Sequence, residues 1–377
     1  MRVIFLTHNY PRFDGDVPGA FLHPLACAVA ARGHEVLVVA PSDRGKGGAD
    51  ELDGIPVQRV RYATPQRETL AYSGRLREAT RTPGGLVALA GLWRALRRAT
   101  RTAMRAAPSV VHAHWWVPAG VAVPPEARSV LTIHGTDGVL LRRSRVARLL
   151  GRQVIRRCGK VTAVSTSLAT LVRDATGRTD VEVQAMPVDT TGWEWSHGGG
   201  GIVIVSRLTQ QKRVDLALRA LDRLAALGHA VPCTVIGDGP ERPRLEALAH
   251  SLSNTSTTFL GSVSPAEAVS RLGNADLTIQ ASENEGFGQA AAEAIMSGVP
   301  VACCRDGGGL LDVVPESGAG RVAEPSPEAL AVACRELLTD PQAHTSAREI
   351  GNTWRKRLAP ETVAERFCGW YQEVDGG

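Results

Sequence analysis

The chain has 377 residues, 44% of them apolar, and a formal net charge of +5. That length exceeds one ordinary domain and suits two, and the mild basicity admits nucleic acid as a partner without demanding it. No run reaches the roughly 18 apolar residues that a bilayer-spanning helix needs. The N-terminal "MRVIFLTHNYP" turns polar by His8, too soon for a signal peptide, so a cytoplasmic protein is expected. Seven scattered cysteines, with only Cys303 and Cys304 adjacent, read as reduced and mostly buried small hydrophobes.

In chain order, "RVIFL" (Arg2–Leu6) is a short β-branched run that suits a buried strand. A Gly/Pro/Asp-rich loop runs from His8 to Gly19. "FLHPLACAVAAR" then sets Leu22, Leu25, Ala26 and Val29 at helical spacing, with Gly33 as the stop. "EVLVVAP" is the next strand, which makes a parallel strand–helix–strand unit. Strand-like runs recur at Val110–His112, Ser129–Ile133, Lys160–Val164 and Val181–Met186. Helical runs lie between them, notably Leu86–Ala106 and Val139–Arg156.

"TTGWEWSHGGGG" (Thr190–Gly201) interrupts this alternation. Four consecutive glycines predict a flexible hinge over 190–200, between a domain at 1–189 and a second at 201–358. The second domain restarts the pattern with the strand "GIVIVSR" and the amphipathic helix "VDLALRALDRLAAL". The strand "PCTVIGDGP" follows, then strands at Thr257–Leu260, Asp276–Ala281 and Val299–Cys303. A terminal helix over 359–377 is expected to pack back on the first domain. The fold class is α/β: two Rossmann-like, doubly wound domains facing a central cleft. Ligands of such sheets sit at the carboxyl ends of the strands.

The chemistry gathers at those ends. "ADLTIQAS" reads as a strand, "ENEGFG" as the loop after it and "QAAAEAIMSG" as a helix. The helix N-terminus favours an anion, and Gly286 and Gly288 allow close backbone approach. Glu285 lies before the phosphate position and Glu293 behind it. They suit a sugar and a ribose at opposite ends of a nucleotide-sugar, although spacing alone equally fits two favourable helix-terminal charges. "SRLTQQKRVD" sets Arg207 and Lys212 at a strand end and a helix start, where two cations suit a diphosphate. "GDGP" (Gly237–Pro240) is a sharp turn in the same layer.

These stretches resemble the family-4, retaining glycosyltransferases of the GT-B fold. Glu285 and Glu293 form an E-x7-E element, and "SRLTQQK", "GDGPERPRLE" and "FLGSVSPAE" fit around it. "GHEVLVVAP", "VVHAHWW" and "TIHGTD" extend the likeness into the first half. The resemblance implies that Glu285 and the amides of Gly286, Phe287, Gly288 and Gln289 hold the donor sugar and phosphate. It implies that Glu293 holds the ribose, that Arg207 and Lys212 bind the diphosphate, and that Gly19 approaches the phosphate from the other domain. His134 would face the donor sugar, and with Glu285, Arg207 and Lys212 it makes up the implied catalytic set. No metal or cofactor is expected beyond the nucleotide-sugar co-substrate, and the leaving diphosphate itself would deprotonate the acceptor. The chain departs from the family pattern at Gln289 and Ala290, and at "AMPVDTTGW" (Ala185–Trp193).

Other constellations have competing readings. Asp14-x-Asp16 matches a metal-binding pattern of a different glycosyltransferase fold but lacks a third ligand nearby, and contact with a polar acceptor is favoured over metal binding. His112, His114, Trp115 and Trp116 end one strand without a complete zinc set, and the tryptophans suit either sugar stacking or packing. "LRRSRVARLLGRQVIRRCGK" sets Leu140, Val146, Leu149, Leu150 and Ile155 among arginines. An ordinary helix is preferred there over a membrane-surface one. Nucleic acid is disfavoured for want of aromatic interleaving. No G-x-G-x-x-G follows the first strand, which argues against a dinucleotide dehydrogenase. The expected partners are thus a nucleotide-sugar donor and a small polar acceptor. A lipid acceptor, a non-catalytic sugar-nucleotide sensor and a homodimer are the remaining alternatives.

Overall fold

In the computed structural model, residues 1–72, 82–252, 256–316 and 318–376 are described. The chain divides into two compact units: Met1–Asp189 with Leu358–Gly377, and Thr190–Arg357.

The strands of the first unit are β1 (Arg2–Leu6), β2 (Glu35–Pro41), β3 (Gly48–Leu52), β4 (Ile55–Val60), β5 (Ser109–His114), β6 (Ser129–Ile133), β7 (Lys160–Ala163) and β8 (Val181–Val183). They form one sheet in the order β3-β4-β2-β1-β5-β6-β7-β8. Every pairing is parallel except the β3–β4 hairpin. The chain runs outward from β1 through β2, then returns to β5 on the other side of β1. That reversal is a topological switch point, which opens a crevice at the carboxyl ends of β1 and β5. The terminal helix Pro360–Gly376 packs on this unit against Leu22–Ala31, with Phe367 and Tyr371 buried.

The second unit holds β9 (Ile202–Val205), β10 (Cys233–Ile236), β11 (Thr257–Gly261), β12 (Leu277–Gln280), β13 (Val301–Cys304) and β14 (Gly320–Ala323). All are parallel, in the order β11-β10-β9-β12-β13-β14, so the switch point falls between β9 and β12. Its core is built on Leu218, Leu221 and Leu224 of the helix Val214–Ala226, which packs against Pro327–Thr339.

Three local expectations change. The hairpin β3–β4 was not anticipated, because "GADEL" shows no apolar alternation. Its turn was nevertheless written as Asp53-Gly54, both at positive φ (47° and 76°), a strong hairpin signal. The helical run at Val139–Arg156 is two helices, Thr136–Arg143 and Arg145–Arg157. They are broken at extended Ser144, whose Oγ accepts from the amide of Ala147 at 3.2 Å. The glycine run expected as a flexible hinge lies inside the second unit. The Asp276 carboxylate accepts from the amides of Gly199 and Gly201. A Cβ at Gly200 would lie 2.5 Å from the Asn274 carbonyl oxygen, and one at Gly201 2.4 Å from that of Pro232. Close backbone approach, rather than freedom, demands glycine there.

Candidate active site

At the second unit's switch point, Arg207 follows two residues after the end of β9 and the chain turns through the short 3-10 segment Gln210–Lys212. Lys212 Nζ donates to Glu285 Oε2, and both side chains are largely buried. Gln211 fixes the same loop: its Nε2 donates to the carbonyls of Glu283 (3.1 Å) and Asn284 (3.3 Å). Arg213, in the left-handed region at φ 45°, donates to the Ala281 carbonyl at 2.7 Å and forks onto Asp306 at 2.8 and 2.6 Å. The loop after β12 is thereby tied to the loop after β9 and to the loop after β13. Arg207 itself is exposed and, among the described residues, its guanidinium has no protein partner.

The loop's backbone is held from the far side as well. Glu285 pairs with Gly308, with its amide donating to the Gly307 carbonyl at 3.0 Å and its carbonyl accepting from Gly309 at 2.8 Å. A Cβ at Gly309 would lie 2.3 Å from the Gly286 carbonyl oxygen. The Gly307–Gly309 run, to which the sequence reading gave no role, thus seats the loop. Its sequence signal was the three glycines after a strand. Gly288 caps the helix Gln289–Met296 at φ 93°. The Gly286 amide donates to Glu285 Oε1 at 3.3 Å, and Phe287 lies edge-on to Trp354 at 6.0 Å. Within the helix, Gln289 Nε2 donates to Glu293 Oε1 at 2.9 Å. Burial pushes Glu293 up to about 7, and the Gln289 bond offsets only part of that. The residues thus fall into two local pairs, Lys212–Glu285 and Gln289–Glu293.

The "GDGP" turn is structural at this point. A Cβ at Gly237 would lie 1.9 Å from the Ser206 carbonyl oxygen, and one at Gly239 2.3 Å from that of Leu208. The turn presses directly on the backbone that carries Arg207.

In the first unit, His134 follows β6 and stands at the carboxyl end of the sheet. Its Nε2 lies 3.1 Å from Nδ1 of His114, and its ring lies 4.3 Å from Trp115 and 5.2 Å from Phe21. Trp115 also meets His8 at 4.5 Å. Burial holds His8 and His114 down at about 4 and about 3, and His134 well below the ordinary imidazole value. These are therefore neutral rings that can donate or accept hydrogen bonds. Asp137, the last residue of "HGTD", locks the arrangement. It accepts from the amides of His134 (3.1 Å), Gly135 (3.0 Å) and Trp116 (3.0 Å). Burial raises it to about 6 against the pull of those amides. Gly19, at φ 76°, presses on Asn9, where a Cβ would lie 2.3 Å from its carbonyl oxygen.

The remaining constellations resolve into packing. His112 bridges Tyr371 Oη (2.7 Å) and Thr132 Oγ1 (2.8 Å) in the core. Trp116 is buried, donating to the Asp137 carbonyl at 2.6 Å. Asp16 accepts from Arg12 through both oxygens, while Asp14 is exposed.

The whole chain superposes on sucrose-phosphate synthase from Thermosynechococcus elongatus, with a TM-score of 0.77 over 100% of this chain and 99% of that one, at 19% identity. It also superposes on HepE from Anabaena, solved with UDP and glucose, with a TM-score of 0.70 over 99% and 100%, at 18% identity. The fold is the two-domain, Rossmann-like GT-B fold. Within it, residues 19–191 match the model for Glycosyltransferase Family 4, and residues 194–357 match that for Glycosyl transferases group 1. The chain is a glycosyltransferase that uses a nucleotide-sugar. Among its relatives is the glycogen synthase of Mycobacterium tuberculosis, 28% identical over 96% of this chain and 91% of that protein.

Proposed function

We propose that the enzyme moves a sugar with retention of configuration from a nucleotide-sugar to a small polar acceptor, and needs no metal ion. The observation that carries this reading is the loop Glu285–Gly288, tied by Lys212 at one end and leading into the helix that carries Glu293 at the other. The helix N-terminus and Lys212 suit the diphosphate, and Arg207, without a protein partner among the described residues, is a further cation near the same strand end. Glu293 suits the ribose hydroxyls and Glu285 the transferred sugar.

In the proposed step, the bond from the anomeric carbon to the diphosphate oxygen breaks while the bond to the acceptor oxygen forms on the same face. The acceptor proton passes to the departing diphosphate. Lys212 and Arg207 stabilise the charge that develops on it, so the protein contributes orientation and electrostatics. The neutral His8, His114 and His134, walled by Trp115 and Phe21, offer uncharged hydrogen-bonding groups beside an aromatic face. That chemistry suits a polyhydroxylated ligand. A relative 30% identical over 46% of this chain and 44% of its own length is a 2-deoxystreptamine glucosyltransferase from Streptomyces kanamyceticus, named for a small polar acceptor.

The test is incubation with a panel of nucleotide-sugars and small polyol acceptors in excess chelator, with the product's anomeric configuration read by NMR. Turnover in chelator with a retained anomer is expected. An inverted product, or turnover that requires added magnesium or manganese, would overturn the mechanism.

A further inference from the structure

The helix Arg145–Arg157 turns the wrong apolar residues outward for an ordinary packed helix. Ala147, Gly151, Val154 and Ile155 face the unit and are buried. Val146, Leu149 and Leu150 face solvent, exposed to 68%, 69% and 51%. Their i, i+3, i+4 spacing places these three on one side of the helix. The inner contact is too close for the helix to roll and hide them. A Cβ at Gly151 would lie only 2.3 Å from Leu141 Cδ2 and 3.6 Å from the Trp116 ring.

The charge along this helix is of one sign. Seven arginines lie between Leu141 and Cys158, and no carboxylate lies between Asp137 and Asp174. Arg142, Arg143 and Arg145 are exposed at the helix start. Among the described residues, Arg148 and Arg157 are bound only to backbone carbonyls, which fixes their position but leaves their charge unneutralised. Arg157 meets Arg97, from the helix Pro83–Ala106, at the Val121 carbonyl, and Glu126 pairs with Arg101 further along that second helix.

We propose that this face docks the enzyme on an anionic lipid surface. Val146, Leu149 and Leu150 enter the headgroup–acyl boundary, and the flanking guanidiniums reach the lipid phosphates. A nucleic acid would satisfy the arginines but leave two leucines and a valine in water. A wholly apolar partner would bury the leucines and strand the charges. Only a surface with both layers matches both features. Docking needs no spanning segment, and among the described residues no helix is long and apolar enough to be one. The inference does not depend on which acceptor is glycosylated.

The experiment is co-sedimentation of the full chain with phosphatidylcholine vesicles and with vesicles that also contain phosphatidylglycerol. It is run for the wild type and for the double variant Leu149→Gln/Leu150→Gln. The wild type should pellet with the anionic vesicles only, and less at high salt. The variant should melt at the wild-type temperature and lose roughly tenfold or more of its binding. Wild-type protein that stays in the supernatant, or a variant that pellets equally well, overturns the proposal. So does a wild-type dimer that the variant converts to monomer without vesicle binding, since the face would then belong to a second copy.

Discussion

Glu293 is a carboxylate placed where ionisation is costly, and that gives it a measurable signature. Its folded value of about 7 lies above the ordinary 4.5. The folded state therefore keeps a proton that the unfolded chain sheds. Its stabilising contribution is complete below about pH 4.5 and lost as pH rises through about 7. Ribose hydroxyls donate best to the ionised form, so nucleotide affinity should rise with pH through about 7 in the wild type and lie flat in Glu293→Gln. Glu285 sits on the other side of the Gly286–Gly288 turn, bound to Lys212. Glu285→Gln should leave nucleotide affinity nearly unchanged and lower kcat by two to three orders of magnitude, about the effect of removing an oxyanion donor. Titration calorimetry across pH, with steady-state kinetics on both variants, separates the two. Identical profiles would reduce the pair to helix-terminal charges. The sequence showed both acids and their spacing, but not their partners. Lys212 is 73 positions from Glu285 and His112 is 259 from Tyr371, so only the folded sheets bring them together.

At the scale of elements, strands were legible wherever they are buried on both faces, because such strands are written as continuous β-branched runs: "RVIFL" and "EVLVVAP" became β1 and β2 with the expected bounds. Elements that depend on a single residue were not. Ser144 breaks what periodicity reads as one helix, and Asp53-Gly54 makes a hairpin from a polar stretch. Glycines were visible but ambiguous, since the same residue serves looseness and close approach. Gly237 and Gly228 separate the two effects. Both have positive φ, but a Cβ at Gly237 meets the Ser206 carbonyl oxygen at 1.9 Å, whereas one at Gly228 meets nothing within 4 Å. Gly228→Ala should cost only the left-handed penalty, about 1–2 kcal/mol. Gly237→Ala should cost about 3 kcal/mol or more, because the backbone under Arg207 must shift. Urea denaturation of both variants decides it, and equal losses would mean that the turn does not press on the Arg207 strand end.

For the whole molecule, two doubly wound units each bring their polar residues to a switch point, and the second unit's switch point is proposed to hold a nucleoside diphosphate without a metal ion. The cations assigned to that charge are Lys212, already engaged with Glu285, and Arg207, which has no protein partner among the described residues. Removing a charge-assisted hydrogen bond costs about 1.5–3 kcal/mol, or roughly tenfold or more in affinity. The most direct test is titration calorimetry of the wild type, Lys212→Ala and Arg207→Ala with a panel of nucleoside diphosphates in excess chelator. The wild type should bind at least one of them in chelator, and each substitution should weaken that binding by roughly tenfold or more. Wild-type protein that binds none of them without a divalent metal, or two variants that bind as tightly as the wild type, would contradict it.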